Sequence, residues 1–198
     1  LLFKPSHMQL HHLVQQLAQV DESILNIFHV DALDLNNMLM DDLGWYPVTL
    51  GDGSRGEYPQ WFRPKEAEDG SFYLKDHKGE VMSRMTRNGA CFDQTLFPWE
   101  QGYPSDFNEI GEAFRSISWI SHSHTKYINM DDRELRERTM RLRESTDRAI
   151  VMSGGAKLLE LGFFLRRMDN MLMDLLADHE NLARMLDKMM ELHMAGLE

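Results

Sequence analysis

Gly154-Gly155 stand where a backbone can do chemistry. They follow the short apolar run Arg148-Ala149-Ile150-Val151-Met152-Ser153 and precede a helical pattern from about Lys157 to Arg167. Glycine lets the chain turn sharply and lets a ligand approach the backbone closely. Free amides at the start of the next helix can hold a carboxylate or phosphate, and Lys157 adds a positive charge there. Gly155 and Lys157 are therefore candidate substrate-binding residues. The spacing is neither a dinucleotide fingerprint nor a P-loop. A plain strand–helix corner accounts for the same residues equally well.

Two carboxylates add to this. Glu160 sits inside the apolar stretch Leu158 to Leu165. On a helix it lies near Lys157 and Phe164, three and four residues away. In apolar surroundings its pKa would rise, and it could act as a catalytic acid or an orienting group; the alternative is an exposed, lysine-paired glutamate. Asp34, with Asp31, Asn36 and Asn37, closes the alternating run Val30-Asp31-Ala32-Leu33-Asp34-Leu35. In a parallel barrel the carboxyl ends of strands carry the site, which makes Asp34 and Asn36 candidates for contacting substrate. Asp and Asn also bend a chain after a strand for purely local reasons.

Other chemistry finds less support. His11-His12 diverge if they are helical, and His122-Ser123-His124 would share one strand face with no third ligand in register. There is no HExxH and no cysteine pair, so no metal site is assigned within the chain. His193 reads as a packed core histidine. The fifteen methionines could form an adaptable binding surface, but their helical spacing favours core filling. Cys91 has no neighbouring base to make it a nucleophile.

The elements that must position these residues form three blocks. From about Leu10 to Gly44, the positions Leu13, Leu17, Val20, Ile24, Leu25 and Phe28 recur at helical spacing. Asp21 is placed to cap a helix with Glu22 in its first turn. The strand through Asp34 follows, and a short turn from Met38 to Leu43 stops at Gly44. From about Trp45 to Tyr103, Asp-Gly and Asn-Gly turns separate the aromatic-rich runs 60–63, 71–74, 80–86 and 90–97. This pattern predicts the hairpins of an antiparallel meander. From Ser105 onward the pattern is mostly helical. Asp131 and Glu134 form a capping-box pair opening a helix to about Ser145, and helices over 169–176 and 180–197 follow the one after the glycines. Leu182, Met185, Leu186, Met189 and His193 share one face of the last.

Helix–strand–turn–helix at both ends of the chain implies parallel strands with crossover helices; about two core strands cannot close a barrel, so either a compact α+β domain forms or the rest of the sheet lies outside these residues. Composition bounds the partners. The chain has 198 residues with 21 Lys plus Arg against 32 Asp plus Glu, a formal charge of −11. That balance argues against general nucleic-acid binding, which needs clustered cations. No run approaches the roughly 20 apolar residues of a membrane helix. A single cysteine excludes an internal disulfide and fits a reducing cytoplasm. The first residues, Leu1-Leu2-Phe3-Lys4-Pro5, lack the features of a signal peptide. The start at Leu1 and the end within a helical pattern are what a piece of a larger protein would show.

The run Ile150-Val151-Met152-Ser153-Gly154-Gly155-Ala156-Lys157-Leu158-Leu159-Glu160-Leu161-Gly162-Phe163-Phe164-Leu165-Arg166-Arg167-Met168-Asp169-Asn170-Met171-Leu172-Met173-Asp174-Leu175 resembles the uroporphyrinogen decarboxylase superfamily. It is most similar to the branch of corrinoid-linked methyltransferases and O-demethylases, with their strand, Gly-Gly turn, glutamate-bearing helix, Leu-Arg-Gly-like break and apolar helix ending in aspartate. Val30 to Leu35 with Leu43-Gly44 is similar to that family's early strand and turn. The hairpin Glu68-Asp69-Gly70-Ser71-Phe72-Tyr73-Leu74-Lys75-Asp76-His77-Lys78-Gly79 resembles one found in the same branch. The resemblance spans about residues 10 to 198.

What the resemblance implies is an α/β fold: the N-terminal half of a (β/α)8 TIM barrel, one domain over 1–198 with a β-hairpin insertion over 45–103. It implies methyl transfer between a methoxylated or methylated small molecule and a corrinoid carrier, with a corrinoid protein as partner and zinc held by residues outside this chain. Glu160 would be the catalytic residue. Asp34, Asn36, Gly155, Lys157 and Phe163 would bind substrate, Phe163 as a wall of the pocket. A half barrel exposes strand edges, so self-association is expected. Two departures count against decarboxylation of a tetrapyrrole, the alternative activity: the family's Arg-rich N-terminal segment is absent, and Phe163 stands where those enzymes use a tyrosine. A non-catalytic barrel fragment acting in protein association is the third reading.

Overall fold

A computed structural model describes residues 8–35, 44–117, 131–152 and 157–195. The fold is mixed α/β, with six α-helices and several small sheets among the described residues, none of them closed into a barrel. The chain divides into two compact units. One comprises Leu1–Phe72, Met85–Phe92 and Ile120–Ser153, the other Tyr73–Arg84, Asp93–Trp119 and Gly154–Glu198.

The first unit opens with strands β1 (Leu10–His12) and β2 (Leu17–Ala18), an antiparallel pair. The helical spacing of Leu13, Leu17 and Val20 is thus not a helix. The turn between the strands puts Gln16 at φ +55°, and Gln19 N donates to Gln9 O at 2.6 Å. Leu10 and Leu13 are buried, whereas Leu17 and Val20 face out, so the stripe that suggested a helix has no buried face. Helix α1 (Glu22–Ile27) starts only at Asp21, whose carboxylate accepts from Ser23 N at 2.8 Å. This is the expected cap. His29, at φ +51°, ends it.

Strand β3 (Ala32–Asp34) pairs in parallel with β10 (Ala149–Val151), joining Ala32 to Ala149, Leu33 to Ile150 and Asp34 to Val151. Parallel neighbours require a crossover connection, as the flanking helical patterns had implied. Arg148 anchors the pair. Its Nε donates to Val30 O at 2.8 Å, and its two terminal nitrogens reach Glu22 and Asn26 at 2.6 Å each. Helix α3 (Asp132–Ser145) is opened by Asp131, whose side chain accepts from Glu134 N at 2.8 Å.

The same unit contains β4 (Trp45–Thr49) and β5 (Arg55–Pro59), a regular antiparallel hairpin. The sequence did not predict these strands, because Pro47, Gly56 and Pro59 mask them. The run 60–63, expected as a strand, is a turn closed by Phe62 N to Pro59 O at 2.9 Å. Phe62 packs edge-on against Tyr58 and Phe92, with ring centres 4.9 and 5.8 Å apart.

The expected meander is present as a four-stranded sheet in chain order: β6 (Lys65–Glu66), β7 (Phe72–Lys75), β8 (Val81–Met85) and β9 (Asp93–Gln94). Within the second unit, Ser83 faces Gln94 across the β8–β9 ladder. A 3-10 turn (Phe107–Glu109) leads into α2 (Ile110–Ser116). Three helices complete this unit: α4 (Leu158–Arg166), α5 (Met168–Ala177) and α6 (His179–Ala195). Leu182, Met185 and Met189 of α6 are buried, as the sequence face predicted. Close packing of α4 depends on Gly162. A side chain there would meet Met171 Sδ at 2.6 Å and Met185 Cε at 3.1 Å.

Candidate functional site

Of the six site residues the sequence proposed, four lie in the described segments. Asn36 and Gly155 lie outside them, as do Asn37, Gly154, the Met38–Leu43 turn and His122 and His124. The four are divided between the units: Asp34 is in the first; Lys157, Glu160 and Phe163 are in the second.

Lys157 is the residue before α4, and no side chain caps the helix there. Its Nζ lies 3.4 Å from Glu160 Oε2, with both side chains more than half exposed. Glu160 therefore does not sit in apolar surroundings. The apolar neighbours in its sequence, Gly162 and Leu165, are buried on another side of the same helix, while Glu160 projects to solvent with Lys157. The exposed, lysine-paired alternative describes it. Phe163 is half-buried one residue beyond Gly162.

The better-built polar cluster of this unit is one the sequence did not single out. Arg166 Nε donates to Asp174 Oδ2 at 2.8 Å, and the Tyr103 hydroxyl donates to the same oxygen at 2.8 Å. A second guanidinium nitrogen of Arg166 donates to the carbonyls of Trp99 and Glu100 at 2.9 and 2.6 Å. The two charges are only 13% and 7% exposed. Burial pushes the Asp174 carboxyl up, but the Arg166 and Tyr103 hydrogen bonds outweigh it and hold it below the usual carboxylate range. The Tyr103 hydroxyl is pushed up by burial and by the Asp174 carboxylate. A fixed ion pair with its hydrogen bonds used internally organises structure; it offers no spare proton. The signal for it was in the sequence: an arginine before the break and an aspartate in the next helix, within the run that carries the family resemblance.

In the first unit, Asp34 is the exposed last residue of β3 and pairs with the last residue of β10, so both strands end at the same edge. The structure adds His11 of β1. Burial depresses the His11 pKa, partly offset by a hydrogen bond to the Ala18 backbone and by the charge of Asp34. Its Nδ1 is buried with no hydrogen-bond partner among the described residues. His11 and His12 do not diverge on a helix; they are consecutive strand residues with rings 6.4 Å apart, edge to face. His11 is the titratable group of this region that can take up or release a proton, and Asp34 acts on it through its charge.

Among the described residues no three His, Cys, Asp or Glu side chains gather to hold a metal. No described helix is long and apolar enough to cross a membrane. Cys91 is exposed. No protein-family model, no curated protein and no solved structure matches this chain.

Proposed function

We propose that this chain is part of a methyltransferase of the uroporphyrinogen decarboxylase-like type, moving a methyl group from a methoxylated small molecule to a corrinoid carrier. The observation that carries the reading is the parallel β3–β10 pair, which ends at Asp34 and Val151 on one edge. Parallel strands ending together are the repeating unit of a β/α barrel, whose chemistry lies at the strands' carboxyl ends. The resemblance of residues 150–175 to that superfamily supplies the reaction class.

The corrinoid supplies the nucleophile that accepts the methyl group. The chain's own residues then have two tasks. Asp34 orients the donor by accepting a hydrogen bond from it. His11, on which the charge of Asp34 acts, delivers a proton to the oxygen left behind when the methyl–oxygen bond breaks. The methyl group leaves without its bonding electrons, which stay on that oxygen, and the proton neutralises it. Zinc has no ligand set among the described residues.

The test is methyl transfer to cob(I)alamin, followed by its absorbance change across a panel of methoxylated aromatics. The expected result is turnover that falls about 100-fold in His11→Gln, the lower end of what a positioned acid contributes, with a smaller loss in Asp34→Asn. Absence of transfer across the panel by folded, zinc-supplemented protein refutes the reading.

A further inference from the structure

Three turns of the first unit meet around a half-open cavity of about 270 Å³. They are the β1–β2 turn with Gln15 and Gln16, the β4–β5 turn with Gly51 and Asp52, and the turn after β8 with Asn88 and Gly89. The turns are braced against one another through their backbones. Phe92 N donates to Val14 O at 2.8 Å. Gly51 approaches Gly89 so closely that a Cβ at Gly51 would lie 2.7 Å from the Gly89 carbonyl oxygen. Gly51 is thus needed for the two loops to come together, while a side chain at Gly89 would collide with Thr86 of its own turn. Loops gathered on a fixed scaffold are where proteins place ligand contacts.

The lining is specific in its chemistry. It offers three carboxamides, one carboxylate and the apolar surfaces of Leu50 and Ala90, with no Lys, Arg or His. Gln16 is held in place: its amide nitrogen donates to Leu13 O, and its oxygen accepts from the Tyr58 hydroxyl. A carboxamide has two N–H donors, so one remains to face a ligand. Gln16 sits at φ +55°, a left-handed conformation that costs energy outside glycine. Asp52 uses Oδ1 to accept from Ser54 N and Oγ at 2.9 and 2.6 Å, which leaves Oδ2 as an acceptor. A fixed N–H donor, a carboxylate acceptor and two adaptable carboxamides match alternating hydroxyls on a small carbon frame. The lack of a cation disfavours phosphates and carboxylates.

We infer that this cavity is a binding site for a small neutral polyhydroxylated molecule of monosaccharide size. Asp52 accepts from one hydroxyl, Gln16 donates to a neighbouring one, and Leu50 and Ala90 meet the C–H face. Affinity is weak, in the millimolar range expected of a half-open site and a small ligand.

The experiment is saturation-transfer NMR on the full chain with glucose, galactose, mannose and glycerol, and with tetramethylammonium as a charged comparison. The expected result is transfer to at least one sugar, weakened about tenfold by Asp52→Asn and further by Gln15→Ala with Asn88→Ala. Asp52→Asn keeps the acceptor for Ser54, and the other two side chains are exposed, so circular dichroism should show an unchanged fold. Transfer to none of the four polyols overturns the inference. So does sugar binding that these variants leave unaltered, or tetramethylammonium binding more tightly than every polyol.

Discussion

Arg166 and Asp174 face each other across the break between α4 and α5, Nε to Oδ2 at 2.8 Å, with both side chains nearly out of reach of water. Breaking a buried pair by removing one partner strands the other charge, at about 3–5 kcal/mol. Asp174→Asn and Arg166→Met should each lower unfolding free energy by about 3 kcal/mol or more in urea titrations. Tyr103→Phe removes one hydrogen bond and should cost about 1–2 kcal/mol. Losses under 1 kcal/mol in both charge variants would show that the pair does not hold the helices together.

The same pair sets an acid limit. The Asp174 carboxyl titrates below its ordinary value in the folded chain. Its stabilisation is therefore complete above the ordinary carboxylate value near pH 4 and disappears as pH falls through the lowered one. Glu112 behaves likewise: the hydrogen bonds from Lys78, His77 and Arg115 pull it down to about 2. Stability measured from pH 5 to pH 2 should fall in the native chain. The fall should shrink in Asp174→Asn, beyond any change seen in Glu112→Gln.

Arg167 occupies φ +67°, ψ +148° at the break itself, a region glycine alone enters without strain. The usual order of helix-forming residues should invert there. Arg167→Gly should be more stable than Arg167→Ala by about 1–2 kcal/mol, read from thermal or urea unfolding. An alanine variant as stable as the glycine one would rule out backbone strain at this position.

Gly162→Ala places a methyl group against Met171 and Met185. Overpacking of this kind costs about 1–3 kcal/mol. Met171→Ala alone should also destabilise by leaving a void. The double variant should lose less than the sum, because the new methyl fills part of that void. Simple additivity in a double-mutant cycle would refute the contact.

Lys157 and Glu160 form an exposed pair. Lys157→Ala and Glu160→Gln should change unfolding free energy by no more than about 0.5 kcal/mol. Any loss of methyl transfer in these variants would then report on function, with stability excluded as its cause.

Legibility in the sequence followed how local the cause was. The caps at Asp21 and Asp131 depend on a few neighbouring residues, and both side chains cap their helices, although the Glu134 carboxylate takes Arg138 as its partner. The buried face of α6 is likewise periodic within one helix. The β1–β2 turn carries a helical spacing because Leu13, Leu17 and Val20 match a period of 3.6 by coincidence, and the pairing of β1 with β2 decides against a helix. Strands β4 and β5 were hidden by prolines that pairing in one hairpin tolerates. At the candidate site, Asp34 stands at the end of its strand as expected. The partial burial of His11 was not foreseeable, because it depends on tertiary contacts of β1. The exposure of Glu160 was equally undecided, since Leu158 to Leu165 gives no indication of which way one polar residue turns.

The β3–β10 pair joins residues more than a hundred positions apart, and two stretches of the intervening chain belong to the second unit. Contacts of such separation form late, because the long loop must close before they are rewarded. During synthesis the first unit cannot complete its parallel pair until Val151 has left the ribosome. Until then β3 lacks its β10 neighbour, and the nascent chain carries that exposed edge while more than a hundred residues are made. Slowing synthesis upstream of Ala149 would lengthen the interval in which that edge stands open, which makes the separation of the two strands a matter of timing as well as of energy.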